Sequence, residues 1–309
     1  MSSLRIEKER VAVVAVIPVG PIANYEFLRD TVESIETYCV QSRKIILVDN
    51  SDADTAKRLA AEKQNLVIVE RSTASGKAGK LYFNLAKAFA FALDRYDFDA
   101  LLRIDDDGLV IGSGGDEQAI QFFRSNQNIA IIGSYRQTCS GQPRDLSPGA
   151  DRIRHLLRAR RFLKAPRLTL SLRQLLRRAT KYHFELGESC MGGVYFINPV
   201  ALRRMRDRGN LVRPEFIESG LEEDQIFALL AKASGFDLAD FATDKLPVGA
   251  AWKGLPCSPE ELELSNKKVI HSVRFYRDMN EAQIRAYFRN RRGTGKGCNT
   301  SHAKLDAVD

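Results

Sequence analysis

The stretch LLRIDDDGLV, residues 101–110, drives three aspartates into the end of an apolar run. Carboxylates this close repel one another, and the repulsion is relieved by a bound divalent cation or by neighbouring Lys and Arg side chains. In an extended or turning backbone Asp105 and Asp107 point to one side while Asp106 points away. A pair so disposed can hold a hard cation and leave positions open for phosphate oxygens and water. The plainer alternative is a cap or solvated turn at a strand end. Position favours chemistry, because the aspartates close the fourth of several similar apolar runs.

Those runs are VAVVAVI (11–17), KIILVD (44–49), NLVIV (65–69), DALLRID (99–105) and NIAIIG (128–133), each of strand length. Between them, residues 25–38, 54–64 and 79–93 carry helical patterns, the first with Phe27, Leu28, Val32 and Ile35 on one face. Strand alternating with helix predicts a Rossmann-like α/β fold, a mainly parallel sheet flanked by helices. Ligands of such sheets bind beyond the carboxyl ends of the strands. There the chain carries PVGPIANY, Asp49 with Asn50 to Asp52, the Gly/Lys loop ERSTASGKAGK and the aspartate cluster. Further on, GGVYFINPVALRRM reads as a strand and a helix opening near Pro199, LEEDQIFALLAKASGF as an amphipathic helix ended by Gly235, and VIHSVRFY as a strand carrying His271.

The 309 residues are 44% hydrophobic and 28% charged, as in a globular protein with a sizeable core. No apolar run approaches the roughly 20 residues needed to span a bilayer. The N-terminal run reads as a buried strand and not a signal peptide. Five scattered cysteines without a CxxC pair indicate neither a disulfide framework nor a cysteine zinc site, so the cytosol is the expected compartment. The net charge of +8 is uneven: residues 152–181 hold eleven Lys or Arg and no acid, which leaves the remainder at −3. A basic, nucleic-acid-binding body is therefore not supported. Two basic amphipathic stretches separated near Pro166 would suit an anionic membrane surface, a solvated face or an acidic partner chain. The organisation expected is residues 1–135, a basic insertion at 136–190, a second half at 191–290 and a frayed tail at 291–309; a homo-oligomer is left open.

From about residue 11 to 275 the chain resembles the family-2 glycosyltransferases, enzymes of the GT-A fold that use nucleotide-activated sugars. The resemblance is carried by VIPVG with Pro18, LVDNSDADT, GKAGKLYFNLA, RIDDDG, GGVYFINPVAL and EED, all in order. It implies a nucleotide-sugar-binding first half and a C-terminal acceptor-binding half. Asp49 would meet the nucleotide base, Asp105 would lie near the ribose, and Asp106, Lys80 and Asn84 would line the donor site, with Lys77 on its Gly-Lys loop approaching the diphosphate. Asp107 would be the direct ligand of Mn²⁺ or Mg²⁺, and His271 a second one; carboxylate with imidazole suits Mn²⁺ better. Asp224 would be the base that takes the acceptor's proton, with Glu223 orienting its hydroxyls. Gly192, Gly193 and Trp252 would belong to the acceptor side.

Acids in a first helical turn also serve the helix dipole, and a lone histidine is often structural. The strand-two turn lacks the family's usual glycine, and Lys80 stands where Arg is commoner; neither change removes a needed charge. The function implied is inverting, metal-dependent transfer, with a UDP-sugar favoured, to a glycan or lipid-linked acceptor. A sugar-1-phosphate nucleotidyltransferase would need a Gly-rich, Arg-containing loop after the first strand, which IPVGPIANYE does not supply. A non-catalytic nucleotide-binding surface module would need no base with a late histidine.

Overall fold

The computed structural model describes residues 7–39, 41–51, 54–63, 65–70, 76, 78–243 and 245–294. The first half runs β1 (Glu9–Arg10), β2 (Val13–Val19), α1 (Tyr25–Tyr38), β3 (Arg43–Asp49), α2 (Thr55–Glu62), β4 (Leu66–Glu70), α3 (Gly79–Arg95), β5 (Tyr96–Asp97), β6 (Ala100–Ile104), β7 (Gly108–Val110), α4 (Gly115–Ser125) and β8 (Ile129–Gly133). There follow α5 (Ser147–Leu156), α6 (Ala159–Lys164), α7 (Pro166–Ala179), β9 (Val194–Ile197), α8 (Pro199–Asp207), α9 (Glu223–Ala233) and β10 (Asp237–Asp240). The chain ends with β11 (Val248–Ala250), α10 (Pro259–Leu264), β12 (Val269–His271), β13 (Phe275–Tyr276), β14 (Met279–Asn280) and α11 (Glu281–Gly293).

The fold is a mixed α/β architecture whose central sheet has the order β10-β8-β9-β6-β2-β3-β4. Strands β6, β2, β3 and β4 are mutually parallel and adjacent, so their carboxyl ends share one rim; β9 alone runs against its neighbours β6 and β8. Side-chain alternation along β2 explains why its run is continuously apolar. Val14 and Val16 face a core with Tyr82, Phe89, Phe227 and Leu230 from α3 and α9. Val13, Ala15 and Ile17 face another with Leu28, Val32, Leu59 and Phe123 from α1, α2 and α4. Pro18 is tolerated in this strand because β6 pairs with β2 only from Val13 to Val16, leaving Pro18 opposite Val48 of β3 alone.

A smaller sheet, β11-β12-β7, is packed by α10 and α11 around Leu109, Leu262, Ile270, Ile284 and Phe288. Its register sets His271 opposite Gly108, directly after the aspartates. The run expected as one strand, VIHSVRFY, is split between β12 and the β13–β14 hairpin. The basic insertion folds as α5, α6 and α7, with Pro166 at the first position of α7. Its apolar positions Ile153, Leu156, Leu168, Leu172 and Leu175 are buried in the core shared with α9, so most of the apolar stripe faces inward. Helix α11 continues through Gly293, three residues into the stretch expected as tail; residues 295–309 lie outside the described residues. No helix among the described residues is long and apolar enough to cross a membrane.

Candidate active site

The aspartate turn is fixed from several sides. The Asp105 amide donates to the Gly193 carbonyl at 2.8 Å, and the Gly108 amide closes the turn on the Asp105 carbonyl at 3.0 Å. Asp106 points away from its two neighbours, as alternation requires: its carboxylate accepts from the Gly20 amide at 3.1 Å, in the loop after β2. The Asp106 carbonyl accepts from Thr31 of α1 (3.0 Å) and Arg285 of α11 (2.7 Å). Burial, with the charge of Asp105, pushes the Asp106 carboxyl up to about 6.

On the other side of the turn, His271 Nε2 lies 3.2 Å from Asp107 Oδ1 and 3.5 Å from Asp105 Oδ2. One ligand atom from each of the three residues falls within 4.8 Å of the others. Arg274 Nε approaches Asp107 Oδ2 at 2.6 Å, from a side chain that is 67% exposed. Burial alone would lift the Asp107 carboxyl, but His271 and Arg274 outweigh it and hold it below the usual carboxylate range. Burial lowers and the two carboxylates raise the His271 imidazole, and the carboxylates prevail, to about 9. The group fits a hard divalent cation on its own evidence. Both Asp107 oxygens and His271 Nδ1 are buried with no aligned hydrogen-bond partner, and two carboxylates with an imidazole are ligands that Mn²⁺ or Mg²⁺ accepts.

Gly193 makes this geometry possible. It sits at φ +92°, and a Cβ there would come within 2.1–2.4 Å of the His271 ring. Gly192 lies against the other half of the site, where a Cβ would stand 3.2 Å from Glu223 Oε1.

Arg103 joins the two halves. It is fully buried on β6, and its Nη2 lies 2.9 Å from both Asp105 Oδ1 and Glu223 Oε1. Glu223 and Asp224 occupy the first turn of α9, which is closed by a reciprocal cap between Glu222 and Gln225. Asp224 is half-buried and accepts from Ser189 Oγ at 3.0 Å, while Arg144 grips the Ser189 carbonyl at 2.6 Å. Burial raises both carboxyls: Glu223 to about 7, against the pull of Arg103, and Asp224 upward, against Ser189.

The other expected residues line the neighbouring strand ends. Asp49 pairs in register with Val19, one residue before Gly20, and its Oδ1 takes the Ser51 amide and hydroxyl at 2.9 and 2.6 Å. Asn84 is buried and donates to Asn50 at 2.6 Å, so it braces the turn after β3. Lys80, in the first turn of α3, stands 4.0 Å from Glu218. Trp252 follows β11, whose next residue, Ala251, donates to the His271 carbonyl at 2.7 Å; the indole is 79% exposed with Lys253 Nζ 4.9 Å from its ring. Lys77 lies outside the described residues.

Asp105, Asp107, His271, Gly192, Gly193, Glu223 and Asp224 therefore form one cluster. Arg103, Arg274, Ser189, Arg144 and Arg285 join it without having been expected. Only Arg103 left a trace in the sequence, as a charge inside an otherwise apolar strand. The others meet the site through tertiary packing alone.

No protein-family model matches the chain, and no curated protein matches it. Solved structures do. The mannosyltransferase PcManGT from Pyrobaculum calidifontis, in complex with GDP-Man and Mn²⁺, is similar over 77% of this chain and 58% of its own, at 12% identity and TM-score 0.43. The galactosyltransferase LgtC, in complex with donor and acceptor sugar analogs, is similar over 94% and 98%, at 12% identity and TM-score 0.45. Mouse xyloside xylosyltransferase 1 is similar over 85% and 97%, at 9% identity and TM-score 0.46. This chain spans 58% of the mannosyltransferase's length, and with each TM-score below 0.5 its chemistry rests on its own residues.

Proposed function

We propose that this protein is a metal-dependent glycosyltransferase, moving a sugar from a nucleotide-diphosphate sugar to a hydroxyl acceptor with inversion at the anomeric carbon. The observation that carries the reading is Arg103, one buried guanidinium 2.9 Å from Asp105 of the candidate metal group and 2.9 Å from Glu223 beside the candidate base. Direct displacement needs a leaving-group site and an acceptor-base site held in fixed relation, and this pairing supports that.

Asp105, Asp107 and His271 would hold the ion. When bound, it would offset the negative charge that builds on the departing diphosphate. Arg274, exposed and already reaching into this group, is placed to follow that charge. As the acceptor oxygen bonds to the anomeric carbon and the bond from that carbon to the phosphate oxygen breaks, the acceptor's proton passes to Asp224. The nucleoside diphosphate keeps the electron pair. Asp224 suits the base better than Glu223 because it is the more accessible of the two, whereas Glu223 Oε1 faces Arg103. Asp49 would face the nucleotide base, Lys80 and Lys77 the diphosphate, and Gly192, Gly193 and Trp252 the acceptor. A UDP-sugar donor and a glycan or lipid-linked acceptor are the favoured substrates.

The test is calorimetric titration of UDP, GDP and dTDP, with and without Mn²⁺, against the parent, Asp107→Ala and Asp224→Asn. The parent should bind one diphosphate in a Mn²⁺-dependent manner, Asp107→Ala should not, and Asp224→Asn should bind nearly as the parent does. With the matching nucleotide sugar, Asp224→Asn should release diphosphate about 10²–10⁴-fold more slowly. Mn²⁺-dependent binding by Asp107→Ala would remove the metal role, and near-normal turnover by Asp224→Asn would remove the base.

A further inference from the structure

Most cations between Arg152 and Lys181 are not answered by an acid among the described residues. Arg152 pairs with Glu222 and Arg154 with Asp151, but from Arg158 to Lys181 no Lys or Arg has an acidic partner among the described residues. Helix α6 buries none of its residues. On α7, Leu168, Leu172 and Leu175 turn inward, while Arg167, Arg173, Arg177 and Arg178 turn outward. Two leucines break the pattern: Leu163 is 82% and Leu170 54% exposed, each amid cations that face water.

Tertiary packing enlarges this face. Helix α7 borders a cavity of about 550 Å³ that Arg167 and Arg177 share with Arg213, whose guanidinium is braced by Glu215 at 2.6 Å. Further along the same side of the helix lies a cavity of about 460 Å³, where Arg178 and Lys181 meet Arg208 from the end of α8. Arginines from three separate segments thus edge two successive recesses, the first of which the exposed Leu170 also lines. A polyanion alone would leave Leu163 and Leu170 without a use. An anionic bilayer answers both, because phosphate headgroups meet the cations while the leucines enter the acyl boundary.

We propose that the outer face of α6 and α7, with Arg208 and Arg213, docks on an anionic lipid bilayer. Helix α7 packs along α9, whose first turn carries Asp224, and Arg152 of α5 reaches Glu222 at 2.8 Å. Docking therefore holds the acceptor side of the site near the surface, where a lipid-linked acceptor is presented. That last step rests on the glycosyl-transfer reading, whereas the docking does not.

The experiment is co-sedimentation of the full chain with phosphatidylcholine vesicles and with vesicles containing about 30 mol % phosphatidylglycerol. Binding is expected only to the anionic vesicles, weakening at least about tenfold in about 0.5 M NaCl. The double variant Arg167→Glu/Arg177→Glu should lose about tenfold or more, and Leu163→Ser/Leu170→Ser several-fold, both at parental melting temperature. Equal binding to neutral vesicles, or none to anionic ones, overturns the proposal. So does full vesicle affinity in the leucine variant combined with competition by heparin, which would mark a general polyanion face. Mn²⁺-dependent nucleotide binding, measured on the same samples without lipid, keeps a failure of docking distinct from a failure of the catalytic reading.

Discussion

At the scale of single residues, His271 links protons and stability, and under the proposed function it would link both to a metal. Its folded pKa, about 9, lies above the ordinary value of 6.5, because Asp105 and Asp107 hold the charged imidazolium against the cost of burial. A raised histidine stabilises fully below its unfolded pKa and loses that contribution as pH rises through the folded one. The metal-free protein should therefore lose stability between about pH 6.5 and 9 relative to His271→Asn, read as the difference in urea midpoints. With His271 in the proposed ligand set, Mn²⁺ would compete with the proton for the imidazole, so its affinity should rise over the same interval in the parent and stay flatter in the variant. Parallel pH profiles for the two proteins would take His271 out of the ligand set.

At the scale of elements, the last helix anchors the aspartate turn. Asp30 of α1 is buried against Arg285 at 3.2 Å and Arg289 at 3.1 Å, and Arg292 joins it. Arg285, itself fully buried, also donates to the Asp106 carbonyl. Breaking a buried ion pair commonly costs about 3–5 kcal/mol, since one charge stays behind; the two remaining arginines put Arg285→Met at the low end. The variant should also bind Mn²⁺ about tenfold more weakly, by loss of turn geometry, while Arg289→Ala, on a half-exposed arginine, should change metal affinity little. Unchanged Mn²⁺ affinity in a folded Arg285→Met would show that the turn holds itself.

At the scale of the whole molecule, the site bridges the central sheet, the small sheet and α9, so a ligand that joins them stabilises the entire fold. A ligand at about 100 times its dissociation constant adds about 2.7 kcal/mol by mass action. Mn²⁺ with the matching nucleoside diphosphate should raise the melting temperature by several degrees, EDTA should cancel the rise, and Asp107→Ala should not show it. A shift that survives EDTA would place the stabilising site elsewhere. Charge is divided on this scale too: residues 152–181 carry +11 and the rest −3, and packing turns the basic share outward around α6 and α7.

The sequence alone determined what depends on local periodicity and residue type. Apolar runs such as VAVVAVI read as strands buried on both faces, residues 25–38 as an amphipathic helix, and three adjacent aspartates as a cation site or a turn at a strand end. Rim placement of Asp49 and Asp105–Asp107 followed from strand order. What answered the aspartates was decided by tertiary structure, because His271 reaches them through the register of β12 on β7, Arg274 from three residues beyond that strand, and Arg285 from α11. The inward turn of Leu168, Leu172 and Leu175 was likewise hidden, since an amphipathic pattern states that a face is apolar and not what covers it. Gly193 shows the same division: its type was plain in the sequence, but only the His271 ring packed against it explains why no side chain fits there.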